Sequence, residues 1–186
     1  FMKIAEILYT ISSGTKFYSK LYAELCKTIF EIYPEIKQYF DTFINSFTDK
    51  FNNVIEYVNP ETDYDKFCEI NKENDKRRAL TSFYVNLMKY GLFDVKNMIF
   101  ILNVLMKQIN DMIVLDGYIS MVEELSENIF IVYDLGYNEL KKINKMEKID
   151  ELVYNICKMK HKEKPSITNK TIFKFMDIRD KVISKY

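Results

Sequence analysis

The side chains in this 186-residue sequence that are equipped for chemistry are few and scattered. His161 is the single histidine, and it lies between Lys160 and Lys162 ahead of Pro165, where a solvated ring is expected. Cys26, Cys68 and Cys157 stand too far apart to pair on a metal and are odd in number, so neither a metal site nor a disulfide framework is expected. They read as reduced, buried thiols of an intracellular protein. Glu123–Glu124 and Asp177–Asp180 pair carboxylates, the residue type that general acid–base work needs, but helix surfaces carry such pairs routinely. The sequence contains no Gly-rich phosphate loop, no GxSxG elbow and no paired-Asp motif of the nucleotide-binding kind. The expectation is a non-enzyme with no catalytic residue, cofactor or metal.

Two basic clusters remain: Lys76-Arg77-Arg78, and Lys158, Lys160, Lys162 and Lys164 leading into Pro165. Each reads as a solvated face, the second also complementing a helix C-terminus, or as a set of contacts to RNA phosphates without sequence specificity. These seven residues are the RNA-binding candidates. Lys plus Arg and Asp plus Glu stand at 27 each, so no global charge recruits nucleic acid or an anionic membrane. Tyr and Phe are abundant, but their helical spacing assigns them to the core rather than to a platform for stacked bases.

The elements that position these residues are helices. With 48% apolar and 15% aromatic residues the chain is a folded one, long enough for one domain or a short array of repeats. Gly14, Gly91, Gly117, Gly136, Pro34, Pro60 and Pro165 are expected to fall between helices and to interrupt none. Phe1–Ile11 reads as a first helix. Lys16–Tyr33 reads as the organising one, with Lys20, Glu24, Lys27 and Glu31 on a narrow polar stripe and the rest apolar, so that it needs neighbours on two sides. Leu25→Asp is accordingly expected to unfold the domain. Pro34 opens a third helix whose apolar repeat runs from Ile36 through Ile55. Tyr64–Tyr90 is a fourth, charged in its first half, apolar in its second and closed at Gly91.

Asp94 caps Val95–Val114, and Asp116-Gly117 turns into Tyr118–Leu135, closed at Gly136. Lys145–Lys160 and a final helix capped at Thr168 or Asn169 complete the set. No stretch alternates as a strand does, no uncharged run reaches membrane-spanning length, and no signal peptide is evident. Short turns make successive helices antiparallel, which predicts an all-α stack of helix pairs spanning 1–186 as a single domain.

Several stretches, taken in order, resemble the middle domain of eukaryotic translation initiation factor 4G. Lys16-Phe17-Tyr18-Ser19 with Leu21-Tyr22-Ala23-Glu24-Leu25-Cys26 is similar to that family's aromatic-YAxLC helix, preceded by an Ile-rich helix, here Ile4-Ala5-Glu6-Ile7-Leu8. Lys76-Arg77-Arg78-Ala79-Leu80, then Phe83, Leu87, Met88, Lys89, Leu92 and Phe93, resembles its basic cluster followed by an apolar helix. Asn169-Lys170-Thr171-Ile172-Phe173 through Asp177-Ile178-Arg179-Asp180 resembles its final helix, with less arginine and leucine than that family uses. The family's opening helix is missing ahead of Phe1, as expected for a fragment of a longer protein.

The resemblance implies a HEAT-type crescent of stacked antiparallel helix pairs. It also implies a scaffold that clamps a DEAD-box RNA helicase of the initiation factor 4A type in its closed arrangement, with auxiliary, non-specific binding of mRNA. One contact is expected near the N-terminal hairpin turns and another at Asn169, Lys170, Phe173, Asp177 and Asp180. Phe17, Tyr22, Leu25, Cys26, Phe83 and Leu87 match the family's motifs as core residues rather than contacts. A cap-binding protein would join through regions outside this chain, no membrane is involved, and the setting is cytoplasmic. The Lys-, Asn- and Ile-rich usage looks like an AT-rich genome, so a giant-virus copy acting in the host cytoplasm or a viral factory fits. Proteins of mRNA decay, splicing and nuclear cap binding use the same kind of domain. A viral Bcl-2-like groove-binder is also all-helical, but normally carries a Trp that this chain lacks.

Overall fold

The computed structural model describes residues 1–44, 58–143 and 145–185. Among the described residues the chain forms eight α-helices and no strand. They are α1 (Met2–Ser12), α2 (Ser19–Ile32), α3 (Pro34–Ile44), α4 (Tyr64–Lys89), α5 (Val95–Met112), α6 (Ile119–Leu140), α7 (Glu147–Cys157) and α8 (Asn169–Lys181). A single 3₁₀ turn, Ile183–Lys185, follows α8.

Local chemistry sets most of the boundaries. Asp63, Asp94 and Thr168 each accept a hydrogen bond from a backbone N–H of the first turn of α4, α5 and α8, which satisfies a donor that the helix itself leaves open. At the end of α4, Gly91 takes the left-handed φ of 73°, and the Gly91 and Leu92 amides donate back to Met88 and Leu87. The expected continuation of α3 through Phe47, Phe51, Val54 and Ile55 lies outside the described residues.

The even-numbered helices form a row, α2 against α4, α4 against α6 and α6 against α8. The odd-numbered helices flank it, α1 packing on α3 and α5 on α7. The axis of the core is α4 against α6. Ala79–Met88 is buried at ten consecutive positions, so this half of α4 has neighbours all round, while the charged first half stands largely in water. On α6, Met121, Val122, Leu125, Ile129, Val132 and Tyr133 are all buried, as their spacing predicts.

Two expectations are corrected. Gly136 does not end a helix; it lies inside α6, which runs on to Leu140. A Cβ there would sit 2.9 Å from Val85 Cγ1 and 3.0 Å from Met88 Cε, so the missing side chain is what lets α6 approach α4. The second concerns α2, which begins at Ser19 rather than Lys16 and buries one face, not two. Ser19, Ala23, Cys26 and Phe30 point inward, whereas Phe17 is 84% exposed, Leu21 59% and Leu25 43%. Among the described residues, α1, α3 and α4 are the helices that pack on it most, and they cover a single side of it. An apolar face records what a helix can bury, not that a neighbour is there to bury it.

Candidate functional site

Two of the basic residues singled out in the sequence, Arg78 and Lys170, meet the carboxylate pair Glu123–Glu124 on α6. Arg78, on the last charged turn of α4, donates from Nε to Glu124 Oε1 and Oε2 at 3.2 and 3.0 Å, and from Nη2 to Oε2. The Glu124 side chain is almost wholly buried and the Arg78 side chain about one third exposed. Asn128 Nδ2 donates to the same carboxylate at 2.8 Å, and Thr81 Oγ1 donates to Asn128 Oδ1 at 2.7 Å. Burial opposes the Arg78 charge, but the hydrogen bonds and charge of Glu124 outweigh it and hold the guanidinium above its ordinary value. One turn of α4 is thereby tied to two turns of α6 by a bidentate, charge-assisted pair.

Glu123 faces the other way. Thr168 Oγ1 donates to Glu123 Oε1 at 2.8 Å and Lys170 Nζ to Glu123 Oε2 at 2.9 Å, while Lys174 Nζ lies 3.1 Å from Glu127 and 4.6 Å from the centre of the Phe130 ring. The adjacent carboxylates of Glu123 and Glu124 are thus committed to different helices, α8 and α4. Between those two attachments lies a small polar cleft of about 190 Å³, lined by Asn71, Asn74, Arg78, Ser120, Glu123 and Lys170 among others. It brings together Arg78 and Lys170, which the sequence separates by about half the length of the chain.

The remaining candidates are dispersed. Lys76 pairs with Glu73 at 2.6 Å, and half-buried Arg77 donates to Asn74 Oδ1 at 2.6 Å. The Lys76-Arg77-Arg78 run is therefore not a uniform cationic face: its third member is an internal tie. Lys158, Lys160, Lys162 and Lys164 follow α7 on a separate loop, and make no ion pair among the described residues. The far end of that loop is fixed by buried Ser166, whose hydroxyl donates to the Leu115 carbonyl and accepts from the Tyr118 amide at 3.1 Å. Lys162 adopts a left-handed φ of 63°. His161 is exposed.

On α8, Asn169, Phe173, Asp177 and Asp180 follow one stripe at helical spacing. Phe173 is 61% exposed, Asp177 pairs with Lys181 at 2.9 Å, and Asp180 pairs with Arg179. The opposite side of the helix, Thr171, Ile172, Phe175 and Ile178, is buried. Comparison of the sequence with models of known protein families returns no match, and comparison with curated proteins finds no similar sequence.

One polar cluster was not legible in the sequence. Asp150 of α7 accepts from the hydroxyls of Tyr133 and Tyr137 of α6 at 2.8 and 2.9 Å, and the two rings stack 5.4 Å apart. Burial, and then the Asp150 carboxylate, push both hydroxyls above the ordinary tyrosine value. The only sequence signal was Tyr133 and Tyr137 four residues apart on α6. Among the described residues no group of three or more His, Cys, Asp or Glu side chains is placed to hold a metal ion. No described helix is long and apolar enough to cross a membrane.

Proposed function

We propose that this chain is a non-enzymatic helical scaffold of translation initiation whose α8 stripe docks on a DEAD-box RNA helicase of the initiation factor 4A type. The observation that carries the reading is Phe173, a large aromatic held out into solvent on a helix whose other side is locked into the core. Asn169 and Lys170 precede it, and Asp177 and Asp180 follow it, which gives an apolar anchor with a charged rim, the composition of a protein-docking patch. Glu123 and Glu127 fix α8 through Lys170 and Lys174, so the stripe is presented on a rigid element. The order in which helices pack, each even one on the next even one, is consistent with stacked hairpins of the HEAT type.

A clamp of this kind acts by binding one helicase conformation better than the other, and a differential affinity of about 1.4 kcal/mol shifts that equilibrium tenfold. RNA phosphates are assigned to Lys158, Lys160, Lys162 and Lys164, with Lys76 and Arg77 as a second, weaker patch; Arg78 serves the core. The deciding experiment is the RNA-dependent ATPase rate of a purified initiation helicase with and without this protein. Several-fold stimulation that is lost in Phe173→Ala/Asp180→Lys, with α-helical content unchanged, is the expected result. No stimulation and no binding by the wild-type protein would overturn the assignment to that helicase.

A further inference from the structure

The solvent face of α2 carries an order of charges that matches itself when reversed. Lys20, Glu24, Lys27 and Glu31 follow one edge of the helix at spacings of four, three and four, alternating in sign. Beside that edge run Phe17, Leu21, Leu25 and Ile32, all exposed. Within one copy these charges are weakly used. Lys27 lies 3.8 Å from Glu31, the Tyr90 hydroxyl lies 3.5 Å from Glu24, and Lys20 makes no ion pair among the described residues.

We infer that α2 is the contact between two copies of this chain, packed antiparallel about a two-fold axis near Leu25. A two-fold axis perpendicular to both helices keeps the charged edge on the same side in each copy and reverses its order. Lys20 then faces Glu31 of the second copy, Glu24 faces Lys27, and the same two contacts repeat across the axis. Every facing charge is of opposite sign. Leu25 meets its own counterpart, and Phe17 reaches the region of the other copy's Ile32, so the apolar stripe is covered over its length.

A parallel two-fold pairing would carry the two charged edges to opposite sides and leave them unmatched, and a uniformly acidic or basic partner would match only half of the edge. The charge order therefore selects a second copy, and selects the antiparallel alignment. Fourteen residues of helix span about 21 Å. One such face covers less than the roughly 800 Å² per partner of a standard interface, so the association depends on concentration. The inference does not rest on the helicase reading, because α8 packs on α6 and α7 and is not part of the α2 face.

The test is sedimentation velocity of the full chain over the micromolar range, on the wild type and on two charge-reversed variants. Lys20→Glu/Lys27→Glu makes the edge wholly negative, and Glu24→Lys/Glu31→Lys makes it wholly positive. All four residues are exposed, so both variants keep the fold, which circular dichroism verifies. A wild-type dimer, at least about tenfold weaker in either variant alone and restored in an equal mixture of the two, is the expected result. A wild type that stays monomeric, variants that dimerise as the wild type does, or a mixture that fails to associate would each overturn it.

Discussion

The second half of α4 and the whole of α2 carry similar sequences and end in opposite surroundings. Both are rich in apolar and aromatic residues, and α2 is the one whose pattern reads as a helix with neighbours on two sides. Ala79–Met88 is enclosed on every side, because α2 and α6 cover it from two directions and Gly136 lets α6 come close. On α2 the neighbours stop at one face. Burial is a property of the arrangement, and periodicity reports only the part of it that a helix contributes.

The sharpest way to break this comparison is to remove one aromatic ring from each side of it. Phe83→Ala empties a position with no solvent exposure, beside Phe40 at 6.2 Å and Tyr84 at 6.3 Å between ring centres. The lost transfer energy and the cavity together should cost about 3–5 kcal/mol. Phe17→Ala removes a ring of the same size that lies in water, and should change stability by less than about 0.5 kcal/mol. Urea unfolding of both variants provides the check. Comparable losses would mean that Phe17 is enclosed after all.

Next in size is the tie between α4 and α6. Arg78→Ala leaves the Glu124 carboxylate buried with Asn128 as its remaining side-chain partner. The cost of a broken buried pair is discounted here, because the Arg78 side chain is one third exposed, to about 2–3 kcal/mol. Arg78→Met with Glu124→Leu removes both charges and should recover most of that loss. A further consequence concerns RNA. Replacing Lys76, Arg77 and Arg78 together would lower stability through Arg78 alone, so any test of the proposed RNA contacts must use variants that spare Arg78. A stable Arg78→Ala protein would show that the cluster is surface charge after all.

How far the sequence reached follows the same line. The start of α5 at Asp94, the stop of α4 at Gly91 and the inner face of α6 were legible, because each is written in residues a few positions apart. Gly136 was misread as a stop, since a glycine near a helix end looks the same whether it breaks the helix or admits another one. The partition of Glu123 and Glu124 between two helices, and the meeting of Asp150 with Tyr133 and Tyr137, depend on residues that only the fold brings together. For the same reason the Lys76-Arg77-Arg78 run gave no sign that its third member faces inward.

A third probe uses pH on the buried side of α2 itself. Burial pushes the Cys26 thiol up to about 11 from an ordinary 9.0. A raised acid keeps its proton longer in the folded state than in the unfolded one, so its contribution is intact below pH 9 and is lost as pH rises through 11. The loss should reach at most about 3 kcal/mol across that window. Cys26→Ala removes the thiol, and its stability should fall less steeply over the same range when the two proteins are compared by denaturant unfolding. Parallel curves would mean that water already reaches Cys26.

A small effect on stability is also expected at Leu25, on the opposite face, where the sequence pattern pointed to unfolding. Leu25→Asp puts a charge at a position that the apolar pattern assigns to the interior, yet Leu25 is largely accessible and the new carboxylate keeps its hydration. What remains is a lower helix propensity, about 0.5 kcal/mol, and some lost apolar contact. The variant should unfold within about 1 kcal/mol of the wild type when both are measured dilute enough to be monomeric. In sedimentation at high concentration the same substitution places two carboxylates at the two-fold axis of the α2 pair, and should abolish the dimer. Folding left intact and association lost is the combination that distinguishes an interface from a core. A chain that unfolds outright would return α2 to the centre of the protein.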